Sequence, residues 1–126
     1  MINRNIATNA TVFNLLANAA ARAATATGTG VDISGARGQI LVLMDAAAAS
    51  TGDTLDVTLE ESDVVGSGYT AVSGGAFAQV TSAAASKQTI ALQADSLKPF
   101  LRAVATIAGN GGEAIIVSVT AIGWTF

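Results

Sequence analysis

Three of the nine acidic residues fall within four positions, Glu60-Glu61-Ser62-Asp63. Carboxylates this close can act as an acid–base pair or ligate calcium, which takes about six to eight oxygen ligands. The surrounding pattern argues against both. Residues 54–61, Thr-Leu-Asp-Val-Thr-Leu-Glu-Glu, alternate apolar and polar side chains with the two-residue period of a strand. Adjacent Glu60 and Glu61 therefore point to opposite faces and cannot converge on one ion without a bulge. Glu61 and Asp63 can share a face, but the spacing departs from a calcium loop, with its central glycine and terminal glutamate. The stretch reads as a strand end and turn, with Ser62 or Asp63 bonding to nearby backbone.

The remaining chemistry is sparse. Histidine and cysteine are both absent, which removes the commonest general base, the commonest transition-metal ligand and any disulfide. The adjacent Ser86-Lys87 pair is a weak candidate nucleophile and base, and no G-x-S-x-G motif occurs. The glycine-rich run 28–38, GTGVDISGARG, has the wrong spacing for a phosphate loop, and no helix is expected after it. Trp124 and Phe126, near the end of the chain, offer an aromatic platform for a sugar or base, or close the core or pack on a neighbour. Arg102, flanked by apolar residues, suits an interface anchor or a cross-strand ion pair with Glu60 or Asp56. No catalytic residue, metal ligand or cofactor site is expected, and the chain does not read as an enzyme.

Composition narrows the partners. The 126 residues carry a net charge of −3, and the six basic residues are scattered along the chain. No basic stripe exists to neutralise phosphates, so nucleic acid is not an expected partner. The apolar runs Ile40–Met44 and Ala114–Val117 are strand-sized, so no membrane span is expected either. The beginning, MINRNIATNATVF, lacks the basic start and apolar stretch of a secretory signal; the expectation is a soluble protein made in the cytoplasm. Apolar residues make up 51% of the chain, but alanine supplies much of that. Burial free energy follows apolar area, so the core is thin and support from neighbouring subunits is expected.

The elements that position these residues are short strands. Residues 1–11 are polar and read as an extended N-terminal arm. Residues 12–26 mix helix-forming alanine and leucine with no consistent helical face, and extended structure is the favoured reading. The continuous apolar run 39–45, QILVLMD, fits a strand covered on both sides. Further strands are expected at 54–61, 69–72, 77–80, 88–93, 100–109 and 114–126, separated by clusters such as STGD, GSG, SGG and GNGG. Pro99, the single proline, suits a strand start, where a missing N–H is tolerated. The fold class expected is all-β, an antiparallel β-sandwich of jelly-roll type over residues 12–126.

Three pieces in succession carry a family resemblance: Gly30-Val31-Asp32-Ile33-Ser34-Gly35, then Glu61-Ser62-Asp63 with Tyr69-Thr70-Ala71-Val72, then Arg102 through Gly109. Together, over about residues 28–123, they resemble the small structural proteins encoded in the head regions of tailed bacteriophages, the capsid decoration or cement proteins. The chain departs from that pattern with VVGSG at 64–68, where relatives have a tighter Asp-Gly turn, and with an alanine-rich 17–26. The resemblance implies a β-sandwich, commonly trimeric, that binds the outer surface of the major capsid protein lattice and stabilises the head. It places the protein on the virion after synthesis in the host cytoplasm. Contact candidates are Ile2, Asn3, Arg4, Asn5 and Ile6 of the arm, with Arg102, Trp124 and Phe126. A tail or head–tail connector subunit and a carbohydrate-binding module on the virion are the alternatives.

Overall fold

The structure, a computed structural model, describes residues 9–17, 24–109 and 115–125. Among the described residues ten strands occur in the order β1 (Ala10–Leu16), β2 (Ala26–Thr27), β3 (Val31–Asp32), β4 (Arg37–Ala46), β5 (Thr54–Ser62), β6 (Thr70–Ala76), β7 (Val80–Thr81), β8 (Ser86–Gln93), β9 (Phe100–Ala108) and β10 (Val117–Trp124). A single 3₁₀ turn, Ala94–Ser96, precedes β9 among the described residues. No helix among them is long and apolar enough to cross a membrane.

The strands form two sheets. One is four-stranded in the order β1-β10-β4-β8; the other runs β2-β9-β5-β6, with β3 also on β9 and β7 also on β5. Every pairing is antiparallel. Reading β2 with β3 as one interrupted strand, and β6 with β7 as another, leaves eight. First pairs with last, second with seventh, third with sixth and fourth with fifth. That is one long hairpin rolled into two facing sheets, the jelly-roll arrangement. The expected fold class is therefore the observed one.

Alternation builds the core. In β5, Leu55, Val57 and Leu59 point inward; β9 adds Leu101, Ala103 and Ala105, and β10 adds Val117, Val119 and Ala121, all essentially without solvent contact. From β4 come Ile40, Val42 and Met44. The alanines allow close approach: Gly28 donates its backbone N–H to the Ala103 carbonyl at 2.8 Å. A Cβ on Gly28 would lie 1.9 Å from the Leu15 carbonyl oxygen, so only glycine fits where β2 leaves the sheet.

Three boundaries and the covering of one strand differ from the sequence reading. Ala10 and Thr11 belong to β1, opposite Trp124 and Gly123, so the boundary drawn after Thr11 falls inside a strand; residues 1–8 lie outside the described residues. β4 is covered on one side only. Its odd-numbered residues face outward, and Leu41 is 38% exposed, because the other sheet covers just one face. The glycines of SGG lie within β6 rather than in a turn: the β5–β6 register shifts between Thr58 and Glu60, and Gly74 has φ +74°. This bulge lets β6 run on to Ala76. The strand expected at 77–80 shrinks to β7, while buried Phe77 is held by its N–H on the Val57 carbonyl at 3.0 Å.

Leu59 is fully buried between the sheets. Leu59→Ala is expected to lower stability by about 2–5 kcal/mol through lost transfer energy and a residual cavity. Urea unfolding with an unchanged denaturant slope is the measurement that checks it.

Candidate interaction surface

The two outer faces of the sandwich differ in chemistry, and the candidate residues Arg102 and Trp124 lie on different sheets. On the β2-β9-β5-β6 sheet, the register sets Glu60 opposite Arg102. The Glu60 carboxylate oxygen Oε2 accepts from Arg102 Nε at 2.7 Å and lies 2.6 Å from Nη2. The same guanidinium lies 3.8 Å from the centroid of the Tyr69 ring, a cation–π contact. The Tyr69 hydroxyl donates to the Val65 carbonyl at 2.8 Å. A Cβ on Gly30 would sit 1.7 Å from that hydroxyl oxygen, so Gly30 leaves the space the tyrosine occupies. Residues from all three pieces of the family resemblance thus meet at one place, and what they do there is internal. Arg102 is a structural ion-pair partner, as one of its two sequence readings held.

The acidic cluster resolves residue by residue. Glu60 pairs with Arg102, while Glu61 Oε2 accepts the Lys98 backbone N–H at 3.0 Å. The buried Ser62 hydroxyl donates to the Ser67 carbonyl and accepts the Val64 N–H at 3.0 Å. Asp63 lies 3.5 Å from the Lys98 ammonium. Among the described residues no group of three or more His, Cys, Asp or Glu side chains is placed to hold a metal ion. In the glycine-rich run, Asp32 accepts the Ser34 N–H at 2.9 Å in a tight turn, and no helix follows to make a phosphate site. Hydrogen bonds from the Ser34 side chain and then its backbone lower the pKa of the exposed Asp32 carboxyl from its ordinary value.

The outer face of the β1-β10-β4-β8 sheet is different. Val12 pairs with Ile122, Ile122 with Leu41 and Leu41 with Ala91, so one row of apolar side chains crosses all four strands. Val12 is 66% exposed. The next row, Asn14-Thr120-Leu43-Thr89, is uncharged. Among the described residues, charge on this face is confined to its ends, with Arg37 at one and the facing pair Asp45 and Lys87 at the other. Trp124 aligns with Ala10 and Arg37. Because Gly123 faces the core, alternation puts Trp124 on the outer face, at the corner where the chain enters β1. There Thr125 donates its backbone N–H to the Asn9 carbonyl at 2.9 Å. Trp124 is thus near the root of the arm, and Arg102 is on the opposite sheet. Ile2, Asn3, Arg4, Asn5, Ile6 and Phe126 lie outside the described residues. The apolar row escaped the sequence reading, which took Leu41 as part of a strand covered on both sides.

No protein-family model and no curated protein matches the chain. Among solved structures, the PBSX exported protein XepA is similar at a TM-score of 0.56 and 19% identity, covering 90% of this chain and 37% of its own. The structure of the Gt strain of infectious bursal disease virus gives 0.50 and 12%, covering 92% of this chain and 32% of its own. The N-terminal cellulose-binding domain of Cellulomonas fimi β-1,4-glucanase C, at 18% identity, covers 97% of this chain and 82% of its own, but its TM-score of 0.46 carries no argument. This chain spans little more than a third of the first two. At such identities the likeness defines a class, the two-sheet antiparallel β-sandwich, and goes no further.

Gly30→Ala is expected to destabilise the fold by about 1–3 kcal/mol by displacing Tyr69. Adding Tyr69→Phe, which alone costs about 0.5–1.5 kcal/mol, should recover part of that loss; a double-mutant cycle by denaturant unfolding checks the coupling. The lowered Asp32 carboxyl stabilises the fold above its ordinary value, and this contribution is lost as pH falls through the lowered one. An NMR titration should find Asp32 below the ordinary aspartate midpoint and returning toward it in Ser34→Ala.

Proposed function

We propose that this chain is a structural protein of a bacteriophage virion. In this reading it is a decoration protein that binds the outer surface of the major capsid protein lattice and stabilises the head. It acts as a homotrimer, without catalysis, cofactor, nucleic acid or membrane. The observation that carries the reading is the apolar row across the outer face of the β1-β10-β4-β8 sheet, whose edge strand β1 begins at the root of the N-terminal segment. The family resemblance of the three sequence pieces supports it, as does the sandwich shared with a PBSX protein and a virus particle.

Area favours a lattice partner over a solitary one. Four strands about 4.8 Å apart, with about eight residues each rising about 3.3 Å, present a face on the order of 500 Å². A stable pair of proteins needs about 800 Å² on each side. One copy on this face alone binds weakly, whereas linked copies on a repeating surface gain effective concentration. Among the described residues β1 pairs with β10 alone in its sheet, and its outer edge adds a second mode, because an extended segment from a neighbour can extend the sheet.

Leu41→Asp and Ile122→Asp should fold, by circular dichroism, yet bind purified particles at least tenfold more weakly, a loss of about 1.4 kcal/mol. Thr106→Asp on the opposite face should bind normally. Normal binding by both face variants, or undiminished heat resistance of particles lacking the chain, counts against the proposal.

A further inference from the structure

The turn between β3 and β4 and the connection from β8 to β9 together line an open cleft of about 240 Å³. Its lining is partly apolar: Ile33 and Ala36 are buried, and Leu97 packs against the core. The two segments brace each other. Ile33 donates its backbone N–H to the Pro99 carbonyl at 2.8 Å, Ala36 to the Ile33 carbonyl at 3.0 Å and Leu97 to the Ala94 carbonyl at 3.1 Å. A cleft held in this way loses little conformational entropy when a ligand enters.

Two cations, Arg37 and Lys98, line the same cleft, with the Ser34 hydroxyl and the Asp95 carboxylate. Among the described residues the ion pairs join Lys98 to Asp63 at 3.5 Å and Arg102 to Glu60, and neither includes Arg37. Instead Arg37 Nη1 donates to the Ser34 and Ala36 carbonyls, each at 3.0 Å. Those bonds occupy one nitrogen of the guanidinium and fix its plane, a setting suited to a carboxylate on the remaining donors.

The mixture of signs selects the ligand. Asp95 opposes a compact polyanion such as phosphate. A sugar acid instead holds its carboxylate and its hydroxyls on opposite sides of one ring. Its carboxylate can meet Arg37 and Lys98 while its hydroxyls donate to Asp95 and bond to Ser34, with the C–H face on Leu97 and Pro99. At about 240 Å³ the cleft is smaller than the roughly 300–1,000 Å³ of a drug-sized site, which suits a single ring.

We infer that this cleft binds an acidic sugar residue, a uronic or sialic acid unit. The inference goes beyond the virion reading and does not rest on it, since none of Val12, Leu41, Ala91 and Ile122 lines the cleft.

The isotope-labelled full-length protein is titrated by NMR at low salt with methyl β-glucuronide, methyl α-sialoside, neutral methyl β-glucoside and inorganic phosphate. At least one acidic glycoside should shift the amides of residues 33–37 and 94–98 saturably, and bind at least tenfold more tightly than the glucoside or phosphate. Arg37→Gln and Lys98→Gln should each weaken that binding at least fivefold, with the amides of β5 and β10 unmoved as the check on folding. Asp95→Asn should narrow the preference for the acidic glycoside over phosphate at least fivefold. No saturable shift with either acidic glycoside overturns the inference. So does phosphate binding as tight as theirs, or a preference that Asp95→Asn leaves unchanged.

Discussion

Everything in this molecule depends on one constraint: two sheets with no disulfide between them must be held face to face by alternate side chains. The inward set is unbroken along β5, β9 and β10, from Leu55 to Leu59, Leu101 to Ala105 and Val117 to Ala121. A slip of one residue in any of these strands would turn that set to solvent and bring Asp56, Arg102 or Thr120 into the core. Register is therefore fixed by burial, and with it the position of every outward side chain. The jelly-roll pairing adds to this, since each strand's neighbours in a sheet are mostly distant in sequence.

The second tier of the structure is the polar knot on the β2-β9-β5-β6 sheet. Arg102 pairs with Glu60 and lies over Tyr69, and the Tyr69 hydroxyl occupies the space left by Gly30. These contacts tie the segment before β3, the turn after β5 and the middle of β9 into one unit. Partly exposed ion pairs contribute little by themselves. Their effect here is geometric, because they fix the shape of the turn that carries Val64 and Val65. Residues that look like functional motifs in the sequence serve as supports, and the surface they support is apolar.

That division separates the two faces. The charged face satisfies its charges internally, with Gln79 also bonding Asp56 at 2.9 Å. The other face leaves apolar side chains in water across four strands. An exposed apolar row is costly in isolation and is retained in soluble proteins chiefly where something covers it.

The strand positions of β4, β5, β8, β9 and β10 were legible in the sequence because alternation and turn residues are local signals. The absence of histidine and cysteine excluded whole classes of chemistry without any structure, and the Glu60–Arg102 pair was within reach because both lie outward on alternating strands. The SGG segment misled, since a glycine bulge and a turn share a composition. The apolar row could not be read, because Val12, Leu41, Ala91 and Ile122 are distant in sequence and become neighbours only through pairing. The meeting of Gly30 with Tyr69 was hidden for the same reason. Local patterning determined which residues of the alternating strands β5, β9 and β10 face in or out; only the tertiary structure decided that β4 has one outward face and which outward residues stand together, because pairing between distant strands is set by closing the whole core.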